Sequence, residues 1–253
     1  MKLTDVVFTD IQGVERKIEL NGFYNVACLE MLYRMPDKCI NLAIVDPPYG
    51  GRGKDFENCY SSRFEKYIKP EIKAERRGGK TNGWENYDIG DRVATWDYAP
   101  PPEYFEQLFR VSKNVCVWGG NYFELSPTRC FLVWRKLTIS ESFSMAMCEY
   151  CWTSFSGNAK WIELAPQGTS KEKRWHPTSK TIALYTWILN LFAKPGDIVL
   201  DTHVGSASSL IACRRAGYDY LGFEIDETYF EKATERIERE KQQITIWEAT
   251  GLI

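Results

Sequence analysis

The 253-residue sequence has no apolar segment long enough to cross a bilayer, no internal repeat and no amino-terminal signal peptide. A helical membrane protein is therefore excluded, and a cytoplasmic location is expected. It has only two histidines, and its eight cysteines form no compact framework. That spacing argues against a disulfide-stapled secreted fold and for reduced thiols in a cell interior. Cys148 and Cys151 make a CxxC, but no second pair or histidine cluster accompanies them. Their neighbours Met147, Tyr150 and Trp152 read as a buried strand, so no metal site is expected. The three-glycine dinucleotide fingerprint is missing as well, which disfavours a pyrophosphate cofactor. A net positive charge is also lacking, the formal value being −2.

The 44% hydrophobic and 26% charged content is that of an ordinary globular protein, long enough to bury most of its apolar surface in one domain over 1–253. Charge is unevenly distributed. Glu227, Glu231, Glu235, Glu238 and Glu240 make the last helix acidic, most simply as a solvated outer face. Basic residues gather at Arg63, Lys66, Lys69, Lys73, Arg76, Arg77 and Lys80, and again at Lys171, Lys173, Arg174 and Lys180. Each cluster is either a solvated surface or a phosphate contact, because local potential and not the total governs phosphate binding.

Two segments carry chemistry. The apolar run Leu42-Ala43-Ile44-Val45 ends in Asp46-Pro47-Pro48-Tyr49. An aspartate, two rigid prolines and an aromatic at a strand end can grip a planar amino group. The carboxylate and a free proline carbonyl accept its hydrogens, and the tyrosine face stacks on its ring. The alternative is a Pro-Pro turn in which Asp46 and Tyr49 only shape the chain. The second segment begins with the strand Asp197–Asp201, introduced by Lys194-Pro195-Gly196. It runs into the small-residue loop 202–209, a helix through Leu210, Ile211 and Cys213 stopped by Gly217, and the strand Tyr220–Glu224. Such a βαβ unit suits a nucleoside ligand, with loop amides on its polar tail and the terminal acid on its ribose hydroxyls.

Elsewhere, Phe8, Ile11, Val14, Ile18 and Leu20 read as a small hairpin, and Leu29–Met35 as a short helix ending near Pro36. Residues 51–98 carry many glycines and charges with little periodicity, marking an irregular insertion. A helix is expected from Pro102 to about Val111, with strands at Val115–Trp118 and Phe131–Trp134. A strand pair follows over about 146–155 and 159–164, then a helix from about Lys180 to Phe192. Alternating strands and helices predict an α/β, doubly wound, mostly parallel sheet. The amine grip and the small-residue loop should then leave the carboxyl ends of neighbouring strands and share one crevice.

The chain resembles the amino-group DNA methyltransferases that use S-adenosylmethionine, in the beta arrangement where the catalytic tetrapeptide precedes the cofactor loop. The likeness covers nearly the whole sequence. It runs through Tyr24–Glu30, Asp46–Tyr49, Trp96-Asp97, Glu103-Tyr104-Phe105, Val117–Phe123, Val133–Lys136, His176-Pro177-Thr178-Ser179-Lys180, the Asp201 loop and Gly222–Asp226. It implies a Rossmann-like methyltransferase fold with circularly permuted motif order, and a site-specific enzyme that methylates adenine N6 after base flipping. Such enzymes act on double-stranded DNA in restriction–modification settings, and often as homodimers.

The implied catalytic residues are Asp46, Pro47, Pro48 and Tyr49. The implied cofactor residues are Asp201, His203, Gly205, Ser206, Glu224, His176, Thr178 and Lys180. Residues 51–98, with Arg76, Arg77, Lys80, Arg135, Lys136, Lys173 and Arg174, are assigned to DNA contact and target recognition. Asp46→Ala is expected to remove activity and leave fold and cofactor binding largely in place. Three positions depart from the family: His203 stands for the usual phenylalanine, Ala207 for glycine, and Ala27 for an acid near the cofactor's adenine. His203 either contacts ligand or fills the phenylalanine's space. Alternative readings are a cytosine-N4 methyltransferase, a methyltransferase acting on a protein or RNA amide nitrogen, and a catalytically silent DNA-binding protein.

Overall fold

The computed structural model describes residues 2–49, 98–140, 146–166, 176 and 179–242. The insertion expected at 51–98 lies outside the described residues apart from Tyr98. The amino-terminal apolar positions form the expected hairpin, β1 (Val7–Thr9) antiparallel to β2 (Glu15–Lys17). Next come β3 (Gly22–Asn25), α1 (Cys28–Arg34) and β4 (Ile40–Val45). Helix α2 (Pro102–Val111) starts on a proline, which has no amide hydrogen to leave unpaired in the first turn. Its Arg110 donates to the carbonyls of Leu32 and Met35, satisfying acceptors that the end of α1 leaves open.

After α2 come β5 (Ser112–Trp118), β6 (Leu132–Lys136), β7 (Cys148–Thr153), β8 (Lys160–Leu164) and α3 (Ile182–Phe192). Thr181 caps α3 by accepting from the Leu184 amide. The described chain closes with β9 (Ile198–Asp201), α4 (Ser208–Arg215), β10 (Asp219–Glu224) and α5 (Glu227–Gln242).

Among the described residues one sheet of eight strands runs β3-β10-β9-β4-β5-β7-β6-β8. Only β7 opposes the others, being antiparallel to both β5 and β6. The strand pair expected over 146–155 and 159–164 is not a pair, because β6 lies between β7 and β8. The linker 154–159 can reach past one intervening strand, a gap of about 10 Å, since an extended chain covers about 3.3 Å per residue.

Period-two alternation places the two faces of β4 on different cores. Ala43 and Val45 pack with Met31, Leu32, Tyr104 and Leu108 of α1 and α2. Leu42 and Ile44 pack with Leu184, Ile188, Leu210 and Ile211 of α3 and α4. Helices therefore cover both faces, as a parallel sheet requires. The β4–β9 neighbourhood is the topological switch: from β4 the chain builds outward through β5, and from β9 through β10 in the opposite direction. Register pairs Leu42 with Val199 and Ala43 with Leu200. Asp46 and Asp201 thus leave the same end of adjacent strands, where such sheets form their crevice.

Candidate active site

Asp46 follows the last residue of β4, and its two carboxylate oxygens have different partners. Oδ1 accepts from the Tyr49 hydroxyl at 2.9 Å, and Oδ2 accepts from Lys180 Nζ. Burial pushes the Asp46 carboxyl upward, and the Lys180 ammonium opposes that shift. Burial alone would lower Lys180, but Asp46 and Glu149 together raise it above the ordinary lysine value. It therefore remains a cation although its side chain is only 3% exposed.

Lys180 was expected at the cofactor. Its ammonium is instead engaged by the grip carboxylate Asp46 and, at 3.2 Å, by Glu149 Oε2. The long side chain, leaving just ahead of α3, carries the charge across to the end of β4. Lys136, expected on DNA, is likewise engaged inside the protein. Its side chain is 6% exposed and its ammonium meets Glu149 Oε1 at 2.6 Å, so it presents no charge to a phosphate. Strand alternation puts Leu132, Trp134 and Lys136 on one buried side and leaves Arg135 exposed, where it pairs with Glu163.

The Tyr49 ring stacks on exposed Tyr122 at 4.6 Å between centroids and lies edge-on to Phe123. This approach depends on Gly119, which sits at φ 65° and whose absent Cβ would fall 2.1 Å from a Tyr49 ring carbon. A cavity beside the ring is lined by Gly119, Asn121, Tyr122, Val133, Glu149 and Tyr150.

The small-residue loop is built around two buried acids. Asp201 accepts from the His203 amide at 3.0 Å and from the Ser209 hydroxyl, and burial raises its carboxyl to about 6. Glu224 accepts from the Gly205 amide at 2.8 Å and the Asp226 amide at 3.0 Å, and burial raises it to about 7. Gly205 has φ 52°, and a Cβ there would lie 2.8 Å from His176 Nε2. His176 thus packs directly on the loop, and its ring also meets that of Tyr229 of α5 at 4.4 Å between centroids. The Ser206 hydroxyl accepts from Ser179, and its carbonyl accepts from Arg236 of α5.

His203 is engaged internally. Its Nδ1 meets the Thr202 hydroxyl at 2.9 Å, Nε2 lies 3.8 Å from Cys28 Sγ, and the ring meets Tyr104 edge-on. Burial lowers it to about 4, so it is neutral at physiological pH. The ring thus occupies space and carries no charge for a ligand. Asn25, opposite Glu224 in the β3–β10 register, donates to the Glu224 carbonyl at 2.8 Å. Its Oδ1 is buried with no hydrogen-bond partner among the described residues.

Thr178, Arg76, Arg77, Lys80, Lys173 and Arg174 lie outside the described residues. Sequence reasoning passed over Glu149, Tyr122, Asn25 and Arg236. Glu149 had a signal: it is the charged residue inside the strand read as buried, Cys148-Glu149-Tyr150-Cys151-Trp152. Cys148 and Cys151 are three apart on that strand, so they face opposite sides and cannot converge on one ion.

Comparison with known proteins identifies the frame. The N6/N4 methyltransferase family model, described as DNA methylase, matches residues 117–235, from the Gly119 turn through both acids of the loop. Over that segment the chain is similar to the DNA N6/N4 methyltransferases. The Type II methyltransferase M.HpaI of Haemophilus parainfluenzae is 37% identical over 71 residues, covering 28% of this chain and 23% of that protein. The chain thus spans about a quarter of that relative's length.

Two solved structures share the fold. The cytosine-N4-specific PvuII DNA methyltransferase has a TM-score of 0.53 at 13% identity, covering 87% of this chain and 89% of that one. A protein described as a DNA modification methylase from Thermus thermophilus, complexed with S-adenosyl-L-methionine, has a TM-score of 0.50 at 16% identity, covering 85% and 94%. Asp46 lies ahead of the segment that the family model matches, and reaches it through Lys180.

Proposed function

We propose that this chain transfers a methyl group from S-adenosylmethionine to the N6 amine of adenine in double-stranded DNA. The observation that carries the reading is the placement of Asp46, held by Tyr49 and Lys180, beside the Asp201–Glu224 loop at the carboxyl ends of adjacent strands. The residues present fit the donor. Glu224 is a carboxylate for ribose hydroxyls, Gly205 leaves a cradle that a Cβ would fill, and Asn25 Oδ1 is a buried acceptor awaiting a donor. When bound, S-adenosylmethionine supplies an electrophilic methyl on a sulfonium sulfur.

The chain's own residues prepare the amine. The N6 lone pair is delocalised into the base, and acceptance of its hydrogens by Asp46 and the Pro47 carbonyl draws the nitrogen toward tetrahedral geometry. A donor held by Glu224 and the Gly205 loop would supply its sulfonium methyl to that localised pair, the C–S electrons staying with sulfur. Asp46 stabilises the cation that develops on nitrogen and passes its surplus proton toward water. The base is flipped from the duplex, and Tyr49 offers a face already used for stacking by Tyr122. The exposed Arg135 is a phosphate contact in this reading.

Adenine is preferred because the resembling cytosine-N4 enzymes more often carry serine where Asp46 stands. The fold shared with the cytosine-N4 enzyme keeps N4 as the second reading. The test is tritiated methyl transfer to unmethylated DNA followed by nucleoside analysis. N6-methyladenine supports the proposal, and N4-methylcytosine replaces it with the second reading. No transfer, together with no calorimetric binding of S-adenosylmethionine, favours a silent DNA-binding protein.

A further inference from the structure

Asp46, Lys180, Glu149 and Lys136 form one buried chain of alternating charge. Lys180 Nζ meets Asp46 Oδ2 and, at 3.2 Å, Glu149 Oε2, while Glu149 Oε1 meets Lys136 Nζ at 2.6 Å. Two indole rings lie under the ammonium groups: Trp118 is 5.3 Å from Lys180 Nζ, and Trp134 is 5.3 Å from Lys136 Nζ. The four charges sum to zero, and three of them come from strands or loops remote from the grip in sequence. Adjacent hydrophobic residues could fill the same volume at lower desolvation cost, so the charges call for a functional account.

We propose that Glu149, braced by Lys136, is a positioning residue for methyl transfer, sharing the Lys180 ammonium with Asp46 so that the Asp46 carboxylate keeps negative potential for the incoming amine. The inference rests on the methyl-transfer reading and deepens it. If Lys180 answered Asp46 alone, the pair would be electrically neutral where positive charge must develop. Glu149 draws the ammonium toward a second anion, and Lys136 keeps that anion from adding a net buried charge.

Two observations support the arrangement. Glu149 Oε2 lies 3.2 Å from Lys180 Nζ, close enough to draw the ammonium toward a second anion while Lys180 donates to Asp46. Glu149 also lines the cavity beside Tyr49, so its charge is felt where the base enters. Burial raises the Glu149 carboxyl, yet Lys180 and Lys136 hold it below the usual glutamate value, and it stays an anion. The groups that bear on Asp46 are Lys180, Glu149 and Tyr49, with Tyr185 of α3 and Asp201 of β9 sensing its charge in turn.

The test compares wild type, Glu149→Gln, Lys136→Gln and the double variant in single-turnover methyl transfer to unmethylated DNA. Asp46 titration is followed by carboxyl NMR in the donor-free protein and assigned with Asp46→Asn. Glu149→Gln should slow transfer by about 10- to 100-fold with donor affinity changed less than about threefold. It should also lower the Asp46 titration midpoint, because Lys180 then serves Asp46 alone. The double variant should be faster than Glu149→Gln, since removing Lys136 restores charge balance. Wild-type transfer by Glu149→Gln, an unmoved Asp46 midpoint, or a double variant slower than both singles overturns the inference and leaves the methyl-transfer reading standing. An inactive wild-type chain overturns both.

Discussion

Lys180 donates to Asp46 although 134 residues separate them, and the contact ties the amine grip to the segment that leads into the cofactor loop. This revises what Asp46→Ala should do. Removing the carboxylate leaves a buried ammonium with Glu149 as its only anionic partner among the described residues. Breaking a buried pair from one side costs about 3–5 kcal/mol, so Asp46→Ala should lose stability as well as activity. Asp46→Asn, of equal size and still an acceptor, should lose transfer with a smaller drop in melting temperature. Calorimetric melts of both variants check this; equal stability would show that Lys180 does not depend on Asp46.

Gly119 controls Tyr49. A Cβ at this φ 65° position would fall 2.1 Å from the Tyr49 ring, a contact that only movement of the ring can relieve. Gly119→Ala should therefore displace Tyr49, reducing methyl transfer by at least about tenfold while donor binding persists, since the Asp201 loop is untouched. Calorimetry with S-adenosylmethionine, run beside the transfer assay, separates the two effects.

Glu224 gives the donor site a pH dependence. Its carboxyl is raised to about 7, and ribose hydroxyls donate best to the ionised form. Donor affinity should fall by up to about tenfold per pH unit below that value and level off above it. Stability of the donor-free protein has the opposite sense. Asp201, at about 6, and Glu224, at about 7, hold protons more tightly folded than unfolded. Their contribution is complete at a pH of about 4 and is lost as pH rises through their folded values. Isothermal titrations and thermal melts between pH 5 and pH 8 read both trends, which should disappear in Glu224→Gln for its share.

Ala207 occupies the left-handed region at φ 63° and is fully buried at the start of α4. Strain there costs about 1–2 kcal/mol, while losing a buried methyl costs about 0.8 kcal/mol and glycine adds backbone entropy to the unfolded chain. Ala207→Gly should thus be close to neutral, within about 1 kcal/mol. Ala207→Val adds a branched side chain where neither backbone nor packing accommodates it, and should cost more than about 2 kcal/mol. Chemical denaturation of both variants measures the difference.

Local pattern carried much of this protein. The apolar run of β4, the proline start of α2 and the strand–loop–helix–strand from Ile198 to Glu224 are dictated by neighbours within a few residues, and each appears where expected. The adjacency of the Asp46 and Asp201 strands was expected from the crevice rule for doubly wound sheets, and it stands in the β4–β9 register. What pattern left unread depends on contacts across the sheet. Lys136 and Lys180 look like surface charge in sequence, yet the fold buries both on Glu149, because β7 inserts between β5 and β6 and carries that acid to them. Sequence by itself marked the two segments on which the methyl-transfer reading rests, since each of them is contiguous. Only the tertiary structure decided how the grip's charge is balanced, because electrostatic pairing in a buried site is set by distance in space and not by separation along the chain.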